Sequence, residues 1–359
     1  MVETDNAGAQ FQGSNQFKVK PFAIGNGHFV KEDGRTKMPS LMDAESERNL
    51  KIWREFKVDG AVTLHDGVSQ IKRYEIGDQY LDTLDQLDRY GKDLYWLKFI
   101  ARFKSVQTLQ LLNQVDLATN LFRIHDMWQS VNKLIRFGLV QKWAFMHPVT
   151  HKKTNSFSLT GNGFRFLETF WGKQRFFQPQ NYYYLRPWYH IRFWETVDIY
   201  QALASLPAFE DFSTMFNGAP HDKGEIIASP LQICLQLTPK LKTNLIFYAC
   251  LQTDGPKFYQ NVLNRWSVYT EEGKKLQEPV NRLPKALNTL TFYSPTLEAA
   301  NHLSQIDKMQ NLNYPVMFLI GQIMKSEGIP HAFYLPDNAT GELKQMNLTN
   351  LLKPGEENE

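Results

Sequence analysis

Residues 131–143 read VNKLIRFGLVQKW, an apolar helical repeat that runs into a glycine and then into an alternating stretch. Val131, Leu134 and Ile135 recur at the spacing of one helix face. Gly138 stands where helices commonly end in a left-handed residue. The residues after it alternate in the manner of a strand. The stretch therefore predicts a helix that ends at a glycine and is followed at once by a β-strand.

The neighbouring segments complete an order of helix, short helix, helix, hairpin and helix. LKFIARF (97–103) ends the first predicted helix, TLQLLNQ (108–114) is the second, and IHDMWQSVNKLIRFG (124–138) is the third. MHPVTHKK (146–153) predicts a turn between two strands. Thr160 is the predicted N-cap of the helix that follows. This order predicts a winged helix-turn-helix; the alternative is a small helical bundle with a hairpin and a solvated basic face.

A winged helix-turn-helix presents the polar face of its third helix to the major groove, while its hairpin wing reaches a neighbouring phosphate. On the helix side we expect DNA contacts from Arg123, Gln129, Ser130, Lys133 and Arg136, and on the wing from Lys142, His151, Lys152 and Lys153. Sequence choice is assigned to helix positions predicted to be exposed, namely Gln129, Ser130 and Lys133. The predicted partner is double-stranded DNA.

The charge distribution agrees with a polyanion partner. The whole chain has a formal net charge of +3. Residues 92–175 hold thirteen Lys or Arg against four acids, an excess of nine positive charges, so the rest of the chain is net negative. Such asymmetry is typical of a nucleic-acid-binding module inside a near-neutral protein.

Residues 170–194 contain eleven aromatic side chains and no acid. Rings interleaved with Arg175, Arg186 and Arg192 suit stacking on unpaired bases. The alternative, which we favour, is that the rings pack a junction between domains while the arginine stems lie along them. A DNA-nicking role for the tyrosines at 182–184 is disfavoured, because the chain contains no His-x-His motif to hold the metal.

The expected fold class is α+β: a winged helix-turn-helix domain followed by a small α/β domain that resembles a degenerate restriction-endonuclease-like fold. Residues 40–57 are expected to be helical. The predicted boundaries are a disordered arm at 1–40, a helical extension at 41–90, the winged helix at 91–172, the α/β domain at 185–340 and a tail at 341–359. No apolar run long enough to span a membrane and no leader segment is found, so we expect a cytoplasmic protein.

No catalytic residue, metal site or cofactor is predicted. Cys234 and Cys250 are expected to be buried free thiols. His147 and His151 flank a proline in the wing turn, which makes a zinc site improbable. The predicted strands SPLQICLQL and NLIFYACLQ hold no internal Asp, Glu or Lys, although a metal-dependent nuclease needs such groups. The nearest acid is Asp254, followed by Lys257.

Three stretches carry a family resemblance: LKFIARFKSVQTLQLL, VNKLIRFGLVQKW and FSLTGNGFRFL. They resemble the first two helices, the third helix with its glycine, and the second wing strand of the replication-relaxation family. In that family an arginine-phenylalanine pair, here Arg102-Phe103, precedes the short second helix. HIRFWETVDIYQAL and NLIFYACLQTDGPKFYQNVLNRWSVYTE are more weakly similar to the segments that open its nuclease-like domain.

These proteins belong to bacterial plasmids and integrative elements, so the resemblance implies an accessory protein of conjugation, replication or the relaxosome. It would bind DNA at a transfer or replication origin, with a relaxase or replication protein as a further partner. Where the family's strand carries Glu-x-Asp, this chain has Ala249 and Leu251, and Leu231 replaces the Asp of an upstream Pro-Asp. The open alternatives are a transcriptional or copy-number regulator, or a nuclease that uses Asp254 and Lys257. The oligomeric state is not predicted.

Overall fold

The structure is a computed structural model that describes residues 38–55, 77–87, 91–118, 122–172, 187–218, 227–238, 241–346 and 348. The chain is an α+β protein with two sheets. It divides into two compact units. Among the described residues the first unit comprises 49–197, and the second comprises 38–48 together with 198–348.

The first unit contains a helical group followed by a hairpin. Its helices are α2 (Gly77–Gln86), α3 (Lys92–Phe103), α4 (Thr108–Leu117), α5 (Ile124–Arg136), α6 (Gly161–Trp171) and the first part of α7 (Pro187–Ala204). Its strands are β1 (Ile52–Glu55), β2 (Val106–Gln107), β3 (Val140–Met146) and β4 (Lys153–Leu159). The strands form one antiparallel sheet in the order β1-β3-β4-β2.

The apolar stripe of α5 forms part of the core of this unit, as its spacing predicts. Met127, Val131 and Leu134 are fully buried, and so are Trp96 and Ile100 on α3. The short helix α4 begins where the side chain of Gln110 accepts the backbone N–H of Gln107 at 2.9 Å. This capping bond satisfies one of the amides that a helix start leaves unpaired.

Gly138 ends α5 with φ +68°, in the left-handed region that its sequence position predicts. The N–H of Leu139 donates to the carbonyl of Leu134, and the N–H of Gly138 donates to that of Ile135. These two bonds form a Schellman motif, which satisfies the last carbonyls of the helix. The glycine therefore ends the helix, and strand β3 begins two residues later, at Val140.

Thr160 joins this glycine to the start of α6. Its hydroxyl donates to the carbonyl of Gly138 at 2.5 Å and accepts the N–H of Gly163 at 3.0 Å, so it is the N-cap that the sequence predicts. A Cβ at Gly163 would lie 2.1 Å from the carbonyl oxygen of Leu139. Only glycine permits this approach between α6 and the hairpin.

The prediction of a helix over residues 40–57 is wrong for residues 52–55, which form a strand. A short helix, α1 (Ala44–Asn49), is followed by strand β1. β1 pairs with β3 along its whole length, from Ile52 opposite Phe145 to Glu55 opposite Lys142. The pairing with β3 overrides the helical spacing in this segment. The expected helical extension at 41–90 is therefore not wholly helical, and part of it completes the sheet.

The second unit has a seven-stranded mixed sheet in the order β11-β10-β9-β8-β7-β6-β5. Its strands are β5 (Phe209–Gly218), β6 (Ile227–Thr238), β7 (Leu241–Ala249), β8 (Leu287–Ser294), β9 (Val316–Ile320), β10 (Phe333–Pro336) and β11 (Leu343–Gln345). Its further helices are α8 (Pro256–Tyr269), α9 (Leu297–Ile306), α10 (Gly321–Ser326) and α11 (Ile329–Ala332). β5, β6 and β7 are antiparallel, whereas β7, β8 and β9 are parallel.

Residues 38–48 form part of the second unit. The buried ammonium of Lys325 donates to the carbonyl of Pro39 and pairs with Asp198 at 2.9 Å. The carboxylate of Glu47 accepts the N–H groups of Gln252 and Thr253 at 3.1 and 2.9 Å. The end of the arm expected at 1–40 is thus a bound segment from residue 38 on; residues 1–37 lie outside the described part of the chain.

The tail expected at 341–359 also begins with structure, because β11 pairs with β10. Asp337 makes the turn between them, and its carboxylate accepts the N–H groups of Ala339 and Thr340. Of the residues after 346 the structure describes only 348. Among the helices of the described residues, none has the length and apolar character needed to cross a membrane.

The buried pair of Asp198 and Lys325 gives a stability prediction. Lys325→Met leaves the Asp198 carboxylate buried without its cation, so we expect the free energy of unfolding to fall by about 3–5 kcal/mol. Lys344→Met is the matched control, since its pair with Asp337 is largely exposed and an exposed pair contributes about 0–1 kcal/mol. Urea unfolding followed by circular dichroism measures both; equal losses would contradict the assigned role of the buried pair.

Candidate nucleic-acid interface

The polar face of α5 is exposed next to the hairpin. Arg123, His125, Gln129 and Arg136 are exposed. The side-chain amide of Gln129 lies 2.9 Å from Nε2 of His125, one helical turn earlier. Amide and imidazole groups on an accessible helix face can pair with base edges, and the two arginines can contact phosphates. His125 was not among the predicted contacts, although its spacing of four from Gln129 could have shown it.

Ser130 does not belong to this face, and its predicted DNA contact is wrong. The residue is 3% exposed and lies beside Val131, on the side of α5 that packs into the core. In a helix of 3.6 residues per turn, position 130 lies between the core positions 127 and 134. The polarity of serine misled the prediction, because a small hydroxyl is easily accommodated in a helix interface.

Lys133 is half-buried and its ammonium is already paired. It donates to the buried carboxylate of Asp93 on α3 at 2.8 Å. A second pair, Lys92 with Asp126 at 3.4 Å, joins the same two helices. Both pairs fix α5 on α3, so Lys133 positions the helix and is not a free cation for DNA.

Two more lysines of the basic segment are buried. The ammonium of Lys98 lies 4.7 Å from the centre of the Trp171 ring, and that of Lys104 lies 5.3 Å from Phe193. Burial lowers the pKa of each to about 8, and for Lys98 the charge of Arg102 adds to the effect. The surface of residues 92–175 therefore presents fewer positive charges than the excess of nine that the sequence gives.

The β3–β4 hairpin carries two lysines that pair with one acid of β1. Lys142 on β3 and Lys153 on β4 both pair with Glu55 on β1, with the longer pair at 3.4 Å. Burial opposes ionisation of Glu55, but the hydrogen bond from Lys153 and the charge of Lys142 outweigh it and hold the pKa of Glu55 below its usual value. Sequence reasoning missed Glu55 because it assigned residues 52–55 to a helix.

The turn of the β3–β4 hairpin is held by hydrogen bonds to one of its own side chains. Nδ1 of His147 accepts the N–H groups of Val149 and Thr150 at 3.2 and 3.3 Å. His147 is buried, whereas His151 and Lys152 are exposed at the tip. His151 has φ +52°, a left-handed conformation that turns the chain into β4. The structure thus presents His151 and Lys152 at the tip, as predicted.

Within the described ranges, no three His, Cys, Asp or Glu side chains lie close enough to hold an ion. His147 uses Nδ1 on the backbone of its own turn, which agrees with the sequence argument against zinc. Cys234 and Cys250 are buried free thiols, as expected. Burial, together with the charge of Glu210, raises the pKa of Cys234 to about 12, so this thiol is unreactive.

A buried serine-histidine pair in the first unit is structural. The ring nitrogen Nδ1 of His190 lies 2.7 Å from the hydroxyl of Ser105, which accepts the indole N–H of Trp194 at 3.0 Å. All three side chains are buried, so no substrate reaches the hydroxyl. Because Trp194 can only donate, the Ser105 hydroxyl is available to donate to His190. Burial lowers the pKa of His190 to about 3, and the ring is therefore neutral.

The aromatic segment divides between surface and core. Arg175 and Arg186 lie outside the described residues, as do the tyrosines at 182–184. Arg192 on α7 is partly exposed. Trp194 stacks on Phe145 of the hairpin at 4.6 Å, whereas Trp188 and Tyr189 are exposed. At least part of the segment is therefore core of the first unit.

Apolar residues occupy the positions on β6 and β7 where the resembled nuclease-like domain has acids. Leu231 on β6 and Ala249 and Leu251 at the end of β7 are buried apolar residues. The hydroxyl of Ser229 donates to the carbonyl of Phe247 on the neighbouring strand. Asp254 accepts the N–H of Leu251 at 2.8 Å and so closes the turn that leads to α8. Ser229 and Asp254 therefore form hydrogen bonds with backbone groups of the second unit.

Comparison of the chain with models of known protein families, with curated proteins and with solved structures gives no match.

The buried histidine gives a pH prediction. Between pH about 6.5 and 3 the unfolded chain protonates His190 but the folded chain does not, so acidification destabilises the first unit by about 1.4 kcal/mol per pH unit. We expect His190→Gln to flatten the dependence of unfolding free energy on pH over pH 6 to 4.

His125→Gln is the matched control at an exposed histidine, and its pH dependence should follow that of the wild type. Denaturant unfolding at a series of pH values measures all three proteins. If the free energy of unfolding of His190→Gln changed with pH as steeply as that of the wild type, His190 would be protonated in the folded state over this pH range.

Proposed function

We propose that the first unit is a winged helix-turn-helix that binds duplex DNA. The observation that supports this most strongly is the element order α3, β2, α4, α5, β3, β4, in which β3 and β4 form a hairpin and β2 pairs with β4. In winged helix-turn-helix domains this arrangement places the third helix in the major groove beside the hairpin.

Exposed polar and basic side chains lie on α5 and on the hairpin, the two elements through which a winged helix-turn-helix contacts DNA. On α5 they are His125 and Gln129, which suit base edges, with Arg123 and Arg136 at the two ends for phosphates. On the wing they are His151 and Lys152 at the tip and Lys153 behind them, whereas the side chain of Lys142 is only 18% exposed. Phosphate contacts dominate affinity, so binding should weaken steeply as salt rises.

For the whole chain we propose a non-enzymatic accessory role at a transfer or replication origin of a mobile element. The second unit would position a relaxase or replication partner. Its order of α7, three antiparallel strands, α8 and a parallel strand is similar to the core of restriction-type nucleases. Because β6 and β7 present Leu231 and Ala249 where acids would bind Mg²⁺, we propose that this unit does not cleave DNA.

The wing assignment is tested by reversing its charge. Lys152→Glu with Lys153→Glu should reduce the magnitude of the slope of log K against log salt by about 2, since each lost phosphate contact removes roughly 0.9. Affinity for a 30-base-pair duplex should fall roughly ten- to a hundredfold at about 0.1 M salt.

Lys274→Glu with Lys285→Glu makes the same charge change at exposed sites of the second unit. Its affinity should stay much closer to that of the wild type. Fluorescence anisotropy over a salt series gives the slopes, and equal binding by the wing variant and the wild type would overturn the wing assignment.

Glu55 competes with phosphate for two wing lysines, so its removal should strengthen binding. We expect Glu55→Gln to bind the same duplex roughly three- to tenfold more tightly, with a slope steeper by about 1. Glu298→Gln removes an equal charge from an exposed site in the second unit and is the control. Unchanged or weaker binding by a folded Glu55→Gln protein would show that the lysines are not phosphate contacts.

A further inference from the structure

β1 brings an exposed tryptophan onto the wing. Trp53 stands opposite Ala144 of β3, and its neighbour Arg54 stands opposite Trp143. Successive side chains of a strand point to opposite faces of the sheet. The guanidinium of Arg54 lies 5.0 Å from the centre of the Trp143 ring, on the face that carries buried Trp143 and Phe145. Trp53 therefore lies on the opposite face.

That opposite face is continuous with α5. Paired residues share a face, so Trp53 lies with Met146 and Lys153, which are opposite each other, and with Phe157 nearer the base of the hairpin. The Phe157 ring packs against Trp128 of α5 with centres 6.1 Å apart. The same face of the sheet thus extends from the candidate recognition helix to Trp53.

Trp53 is held by the backbone while its ring remains accessible. It is 41% exposed and Met146 is 50% exposed, although both occupy strands with regular pairing. The small side chain of Ala144, which is itself buried, stands opposite Trp53. The regular pairing of β1 fixes the backbone that carries the indole, so little backbone freedom remains to be lost on binding.

The charges beside Trp53 point to a nucleic acid as the occupant of this surface. Lys142 and Lys153 lie on the same face of the sheet as Trp53 and share one carboxylate, Glu55, so this face has one more cation than anion among the three. Lys152 follows at the tip. An aromatic face among cations is the combination that binds unpaired bases, because the ring stacks on the base while the cations contact the backbone.

We propose that Trp53, with Met146 beside it, forms a base-stacking site on the wing, so that the protein prefers DNA with unpaired or unstacked bases to intact duplex. Bases in an intact duplex are stacked on both sides and offer no free ring surface, whereas a melted or kinked step does. This inference rests on the proposed function, because it adds a second contact to the same wing.

The experiment compares two 30-base-pair probes, an intact duplex and the same duplex with a three-nucleotide central bubble that contains 2-aminopurine. Wild-type protein should bind the bubble about tenfold more tightly and quench the 2-aminopurine fluorescence. Trp53→Thr keeps a residue that favours strands and should lose both the preference and the quenching, while it still binds the duplex. Trp53→Phe should keep part of the preference.

Trp188→Ala is the matched control, since Trp188 is also 41% exposed but lies on α7. Its preference for the bubble should equal that of the wild type. Where Trp53→Thr does not fold, photocrosslinking of the wild type to a bubble that carries 5-iododeoxyuridine decides, with a crosslink at Trp53 expected. Crosslinks confined to other residues would overturn the inference.

Failure of the stacking site and failure of the proposed DNA-binding function give different results in this experiment. Wild-type protein that binds the duplex but shows no preference for the bubble overturns the stacking site and leaves the proposed function intact. Wild-type protein that binds neither probe overturns both. A preference that persists in folded Trp53→Thr assigns the stacking to another residue and also overturns the inference.

Discussion

The turn from α5 into β3 at Gly138 is the constraint on which the first unit depends. Its left-handed backbone lets Leu139 bond back to Leu134, so that only the three-residue turn at 137–139 separates the helix from the strand. The carbonyls of Gly138 and Leu139 then receive the hydroxyl and the N–H of Thr160. One short segment therefore sets the positions of α5, both strands of the β3–β4 hairpin and the start of α6.

The lysines and arginines of the first unit fall into two groups, those that pair or pack inside the fold and those that are exposed. Some cations act inside the fold: Lys92 and Lys133 join α3 to α5 through carboxylates, and Lys98 lies over an aromatic ring. Other cations are exposed, at the ends of α5 and at the tip of the β3–β4 hairpin. Net charge alone does not separate these groups, because a cation paired with a carboxylate and a cation facing solvent count equally in a sequence.

The sequence predicts local features well and non-local features poorly. Gly138 and Thr160 are found because their roles depend on backbone conformation within a few residues. β1 is missed because its partner β3 lies about ninety residues away and its own pattern is compatible with a helix. The contact assigned to Ser130 fails because a serine at a helix interface cannot be distinguished from an exposed one by polarity. Trp53 and Glu55 are missed for the reason that β1 is missed.

Hydrogen–deuterium exchange of the full chain, with and without a saturating DNA duplex, tests the central claim most directly. We expect slower exchange in α5 (Ile124–Arg136) and in the hairpin turn at 146–153, where DNA would lie in the proposed complex. Exchange in the turn at 250–255 of the second unit should not change. Slower exchange confined to the second unit, with α5 and the wing turn unaffected, would contradict the account.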